Sequence, residues 1–217
     1  MKITSLLSSV VIVLSLSTAT SYAEDLKVKI TKKLSSVDVI HQGKKMTIQR
    51  NQNNKNMVIK AFAKTSRNCP PFCINPMKLA PGVETLGELE VLDYLKKMSD
   101  GDDSILVIDS RTPDWVKRGT IPGAVNIPWT KLSVKRGADP LSIAEIVTEK
   151  FNGKELDDDK FDYANAKTLV MFCNGMWCGQ SPNNIRTLLK MGDPANKIKW
   201  YRGGMQNWEN LGFTTAK

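Results

Sequence analysis

Four short, mainly apolar runs separated by helix-like segments constrain this chain more than any other feature. Residues 105–108, 124–127, 168–172 and 198–200 are each too short for a buried helix, and 105–108 and 168–172 lack the alternation of a half-exposed strand. Helical candidates occupy residues 113–117, 140–150, 182–191 and 205–211. The third opens on Ser181-Pro182, a cap residue followed by proline at the first helical position. An earlier helix is expected from Thr85, because Thr85-Leu86-Gly87-Glu88 reads as a capping box and Leu86, Leu89, Leu92 and Leu95 follow at helical spacing up to Ser99-Asp100-Gly101. Doubly buried strands interleaved with helices predict an α/β fold, a mainly parallel sheet flanked by helices.

Upstream the period changes to two. Leu26, Val28 and Ile30, then Val37 and Val39, Met46 and Ile48, and finally Met57, Val58 and Ile59 read as strands, with Gly43 and Asn51-Gln52-Asn53-Asn54 as turns between them. Residues 24–80 are therefore expected to form a small β-rich region, an antiparallel meander. It ends in Asn68-Cys69-Pro70-Pro71-Phe72-Cys73-Ile74-Asn75-Pro76, whose prolines forbid regular structure. Residues 83–217 then make the α/β domain.

The first 23 residues carry Lys2, an apolar run over 6–16 and Ser21-Tyr22-Ala23, the pattern of a secretory signal peptide, with an uncleaved anchor as the competing reading. The run is short for a bilayer span and no later stretch is longer, so no integral membrane segment is expected after its removal. The chain is then expected across the inner membrane, in a bacterial periplasm.

Composition narrows the chemistry. A single histidine, His41, excludes a polyhistidine metal cage and lies far from every cysteine, which excludes a c-type haem motif. The formal charge of +9 falls to +8 without Lys2; it can steer anions, and Lys27, Lys29, Lys32 and Lys33 also fit a solvated face. An exported protein has little access to DNA, so no nucleic-acid partner is expected.

Cys173 falls at the carboxyl end of the 168–172 run, where open parallel sheets bind ligands. Asn174-Gly175-Met176-Trp177-Cys178-Gly179-Gln180 then leads to the Ser181 helix. Glycines let backbone amides curl toward the sulfur, and a helix N-terminus favours an anion, so a lowered thiol pKa is expected. The competing reading is an inert buried thiol or half of a static disulfide.

These residues resemble a known family. Leu106-Val107-Ile108-Asp109-Ser110-Arg111-Thr112-Pro113-Asp114-Trp115 followed by Gly119-Thr120-Ile121-Pro122-Gly123-Ala124-Val125-Asn126-Ile127-Pro128 is similar to the first hallmark of rhodanese-like domains. Val170-Met171-Phe172-Cys173 with its loop, and Tyr201-Arg202-Gly203-Gly204-Met205-Gln206-Asn207-Trp208, resemble the active-site and carboxyl-terminal segments. The similarity spans about residues 83–215.

What the resemblance implies is sulfur transfer, in which Cys173 becomes a persulfide and passes sulfur to a thiol or cyanide. A small sulfur-containing anion or persulfide would be the donor and a thiol, which a protein can supply, the acceptor; no cofactor or metal is called for. Asn174, Gly175, Met176, Trp177, Gly179, Gln180, Ser181 and Arg111 are the implied substrate-binding positions, with Asp109 in support; a structural Asp109–Arg111 ion pair is the competing reading. Thr120 replaces the family's histidine, and the loop has two extra residues and no Arg or Lys, so weak thiosulfate turnover is expected. The missing arginine also argues against the phosphatase offshoots of this fold.

Cys178, in the same loop, could resolve a persulfide or sulfenic acid on Cys173, or pair with it in a default disulfide. Cys69 and Cys73 admit a structural clip or a redox dithiol, in a proline-shaped loop expected to pack near the Cys173 mouth; their spacing fits zinc poorly. Trp177 and Met176 could wall the pocket or anchor the loop to the core, whereas Trp115, Trp129, Trp200 and Trp208 are expected as core or packing residues. Two alternatives stand beside a sulfurtransferase: a thiol-disulfide or sulfur-relay protein using Cys173 and Cys178, with Cys69 and Cys73 as a second pair, and a non-catalytic binding module.

Overall fold

The computed structural model describes residues 26–156 and 160–217, so the expected signal peptide lies outside the described residues. In chain order the elements are β1 (Ser36–His41), β2 (Lys44–Gln49), α1 (Lys60–Ala63), β3 (Glu84–Leu86), α2 (Glu88–Ser99), β4 (Ile105–Asp109), α3 (Pro113–Val116) and β5 (Val125–Asn126). There follow α4 (Pro140–Glu145), β6 (Lys154–Glu155), β7 (Phe161–Asp162), β8 (Thr168–Phe172), α5 (Gln180–Lys190), β9 (Ile198–Tyr201) and α6 (Gly204–Asn210).

The main sheet has five strands in the order β3-β9-β8-β4-β5, each pair parallel. Its register puts Leu86, Tyr201, Phe172, Asp109 and Asn126, the last residue of each strand, in one row. The loops after all five strands therefore leave from one end of the sheet, with the β8 loop flanked by those of β4 and β9.

Alternation along the strands feeds two cores. Val107, Val170 and Phe172 pack with Leu92, Leu95 and Trp208. Ile108, Leu169, Met171 and Trp200 pack with Ile143, Ile185 and Leu188. Burial on both faces is why β4 and β8 read as almost unbroken apolar runs.

Three expectations need correction. The helix expected from Thr85 begins at Glu88: residues 84–86 form the edge strand β3, and Glu90 accepts from the Gly87 N–H at 3.1 Å. Pairing with β9 captures backbone that local propensity assigned to a helix cap. The meander is a single hairpin, β1 with β2, turned by Gln42 and Gly43, both at positive φ. Leu26, Val28 and Ile30 and Met57, Val58 and Ile59 join no strand. Finally, α5 begins at Gln180 with Gly179 at its cap, so Ser181 sits inside the first turn instead of capping it.

The hairpin is docked on the domain. Val37, Val39 and Ile48 share the core of Leu92 and Leu95, Ser99 Oγ accepts from the Ile40 N–H at 2.9 Å, and His41 Nδ1 accepts from the Gly123 N–H at 3.1 Å. No helix among the described residues is long and apolar enough to cross a membrane.

Candidate functional site

Cys173 follows the last residue of β8 and is 2% exposed. Its Sγ accepts a hydrogen bond from Ser181 Oγ at 3.1 Å, and Ser181 is held by accepting from Trp200 Nε1 at 3.2 Å. Its own thiol donates to the Cys178 carbonyl at 3.4 Å. Burial opposes ionisation of Cys173. The Cys178 thiol, the Ser181 hydroxyl and the backbone amides of Ser181 and Gly175 outweigh it and bring the thiol down from 9.0 to about 7.

Cys178 behaves oppositely. Burial, followed by its hydrogen bond and charge repulsion with Cys173, pushes its thiol well above the usual range. The two sulfurs thus titrate as a pair in which Cys173 ionises first and Cys178 keeps its proton. Gln180 Oε1 accepts from Cys178 Sγ at 3.7 Å, and Asn174 Nδ2 lies 4.0 Å from it.

The loop backbone is fixed from two sides. Gly204, at positive φ, brings the start of α6 so close that a Cβ there would stand 2.3 Å from the Cys173 carbonyl oxygen. That carbonyl and the one of Asn174 accept from the Met205 and Gln206 N–H groups at 3.0 and 2.9 Å. Trp177 Nε1 donates to Gln206 Oε1 at 2.6 Å. On the other side Asn75 donates from its backbone to the Met176 carbonyl at 2.8 Å and from Nδ2 to the Met176 and Cys178 carbonyls.

The Asn75 carbonyl in turn accepts from Arg202. Cys69 and Cys73 form a disulfide just before Asn75, and Phe72 packs edge-on against Trp177 with ring centroids 5.7 Å apart. The proline loop therefore does lie against the Cys173 loop.

Asn174, Gly175, Met176, Trp177, Gly179, Gln180 and Ser181 all gather around the two thiols. Arg111 does not join them: its guanidinium is buried against Asp109, with Nε–Oδ1 at 2.9 Å and Nη2–Oδ2 at 2.6 Å, and also donates to the Gly119 carbonyl. Both side chains are 1% exposed. Its place among substrate-binding candidates is corrected to a structural ion pair. Thr120 donates to Asp109 Oδ2 at 2.7 Å, which explains how a hydroxyl serves at this position.

A cavity of about 410 Å³ opens beside Cys178, bounded by Arg67, Trp115, Trp129, Arg136 and Trp177 among others. A larger one, about 550 Å³, lies between α4 and α5 and includes neither thiol. Arg67, Arg136 and Asn183 escaped the sequence reading because they come from distant or helical segments with no motif. Trp115 and Trp129, expected as core or packing residues, are half-buried at this cavity, and Trp115 packs against the core and stacks on Phe62; Trp200 and Trp208 are in the core.

A thiol of lowered pKa at the carboxyl end of a central parallel strand, ringed by amide and hydroxyl donors, defines the α/β proteins built around a cysteine loop. The chain belongs to the rhodanese-like domain family, whose profile matches residues 91–211, more than half of its length. No protein of curated function matches it in sequence. Among solved structures it is similar to a protein of unknown function from Rhodopseudomonas palustris described as a possible tyrosine phosphatase (20% identity, TM-score 0.43, covering 64% of this chain and 88% of that one). It is also similar to a human single-domain sulfurtransferase (19%, 0.35, 59% and 96%). A thiosulfate sulfurtransferase from Pseudomonas aeruginosa gives 20%, 0.39, 62% and 20%. Likenesses at this level bear on no activity.

Proposed function

We propose that the protein is a sulfurtransferase in which Cys173 carries sulfane sulfur, and that it works in the periplasm after export. The observation that carries this reading is the buried Cys173 sulfur facing hydroxyl and amide donors, an arrangement that stabilises a thiolate and then a persulfide anion. The Cys173 thiolate attacks the outer sulfur of a donor, the donor's sulfur–sulfur bond breaks, and the leaving group departs with the electron pair. An acceptor thiolate or cyanide then attacks the outer sulfur of the persulfide and expels the Cys173 thiolate. The N-terminal sequence pattern and the Cys69–Cys73 disulfide support an oxidising, exported setting.

A second reading is favoured by the placement of both free thiols in one buried cluster, where each shifts the titration of the other. Cys178 sulfur could attack the Cys173 sulfur of the persulfide, closing a Cys173–Cys178 disulfide and releasing sulfide. Intact-mass spectrometry of the protein with both free thiols reduced, after polysulfide or thiosulfate, separates the two. One added sulfur atom mapped to Cys173 is the expected result, whereas loss of two hydrogens joining Cys173 to Cys178 supports the relay. A Cys173 that takes up no sulfur and alkylates no faster than free cysteine refutes both.

A further inference from the structure

The four cysteines occupy two very different surroundings. Cys173 and Cys178 are free and buried, 2% and 4% exposed, whereas Cys69 and Cys73 are joined in a disulfide and both are exposed. Exposed disulfides are the ones that thiolates reach and exchange. The segment that carries this one favours such an attack. No Asp or Glu occurs between Asp38 and Glu84, and Lys64, Arg67 and Lys78 flank the disulfide in sequence. Positive charge from the segment draws in an attacking thiolate and stabilises a leaving one. Exposed Phe72 and Ile74 stand on either side of Cys73 and give a reductant an apolar foothold.

The same loop fastens the one that holds Cys173. Phe72, inside the ring that the disulfide closes, packs edge-on against Trp177. Asn75, two residues beyond Cys73, clasps the Met176 and Cys178 carbonyls through its backbone N–H and Nδ2. The Cys178 carbonyl is also the acceptor of the Cys173 thiol, so one oxygen joins the Asn75 clasp to the reactive sulfur. A cross-link from Cys69 to Cys73 limits the conformations open to the residues between them. Once it is cut, holding Phe72 and Asn75 in place costs chain entropy that the closed ring had already removed.

We propose that Cys69–Cys73 is a second redox site of this chain, opened by a dithiol reductant, and that its opening releases the Asn75 clasp and admits reactants to Cys173. The proposal concerns the control of the site described above and rests on Cys173 being its reactive thiol. A thiolate of the reductant attacks one of the two sulfurs, the sulfur–sulfur bond breaks, and the other cysteine leaves with the electron pair and takes up a proton. The second thiolate of the reductant then attacks the mixed disulfide and expels the first cysteine. Two electrons have passed to the protein, and the reductant ends as a disulfide.

The two states differ in access to the buried sulfur. With the bond closed, the Cys173 loop is fixed from both sides. With it open, the side that Asn75 and Phe72 supply is loosened, and the contacts to Met205 and Gln206 of α6 remain. Losing one or two hydrogen bonds of ordinary net strength raises the population of an opened loop about tenfold. Cys69, Cys73 and Asn75 lie outside residues 91–211, so this device is no part of the matched family profile.

The test follows iodoacetamide alkylation of Cys173, mapped by mass after digestion, in the full chain with Cys69–Cys73 closed and again after dithiothreitol and desalting. Cys173 and Cys178 are free thiols in both samples. Dithiothreitol should open the bond without denaturant and with the far-UV circular dichroism unchanged. The Cys173 rate should then rise about tenfold, and reoxidation before alkylation should restore the slow rate. A bond that opens only under denaturant, a fold lost on reduction, or Cys173 rates within about twofold of each other overturns the proposal, and none of these readings needs a variant to fold. Asn75→Ala, with its disulfide intact, should alkylate at the fast rate and ignore the reductant; a full response in this variant overturns the coupling through the clasp. Alkylation does not require sulfur transfer. Disulfide-dependent alkylation with no sulfur loading from polysulfide in either state upholds the switch and defeats the transfer reading, whereas loading and alkylation both indifferent to the disulfide defeat the switch alone.

Discussion

Replacing Ser181 by alanine removes one identified donor from the Cys173 sulfur and leaves the chain path intact. The hydroxyl stands 3.1 Å from Sγ inside a helix turn and is itself oriented by Trp200. A hydrogen bond to a charged group contributes about 1.5–3 kcal/mol, and about 1.4 kcal/mol corresponds to one pKa unit. The Cys178 thiol and the Ser181 and Gly175 amides remain and can tighten, so the low end applies. The thiol should rise from about 7 to about 8, cutting the thiolate at neutral pH from about half to about a tenth.

The assay is the pH dependence of alkylation by iodoacetamide, with the modified residue identified by mass after digestion. The inflection assigned to Cys173 should move up by about one unit, while the plateau rate at high pH holds or rises slightly, since a more basic thiolate is the better nucleophile. Trp200 Nε1 loses its acceptor, so a stability loss of about 1–3 kcal/mol should accompany the change. Rates are therefore read well below the unfolding transition. An unmoved inflection would refute the assignment of Ser181 as a thiolate donor.

Three further outcomes are expected. Arg111→Met leaves Asp109 charged and buried with Thr120 in place of its ion-pair partner, and chemical denaturation should show a loss of about 3–5 kcal/mol; a loss under 1 kcal/mol would count against the pair as a structural element. Gly204→Ala would force a methyl group against the Cys173 carbonyl at a positive φ, so a loss of at least about 2 kcal/mol and a raised Cys173 inflection are expected; wild-type values in both would contradict the tight approach of α6. Burial lowers the His41 pKa from 6.5, so on acidification the unfolded chain binds a proton that the folded one resists. Stability should fall as pH drops below 6.5, and His41→Gln should flatten that slope in denaturation curves taken across the range; an equal slope would mean that His41 is not the sensing group.

How much could be read from the residues follows from how local each cause is. The β4, β8 and β9 runs stand out because both of their faces are buried, and Cys173 stands out because it follows one of them. β3 was hidden, since Glu84-Thr85-Leu86 is three residues long and imitates a helix start until β9 pairs with it. Ser181 was identified as part of the loop's helix entry, yet its contact with sulfur depends on the turn beginning one residue earlier, at Gln180. The partners of the cavity were invisible for a different reason. Arg67 and Trp177 are far apart in sequence, and nothing in either segment signals that a disulfide-closed loop will carry one to the other.

The Asn75 clasp bears on where this protein can be cut. Severing the chain at residue 91, where the family profile starts, would discard an edge strand of the sheet, the roof over the Trp177 ring, and the amide that caps the Met176 and Cys178 carbonyls. Arg202 would be left holding out a guanidinium to an oxygen no longer there. The span that the family profile matches is thus smaller than the unit that must stay in one piece for this thiol to keep its surroundings.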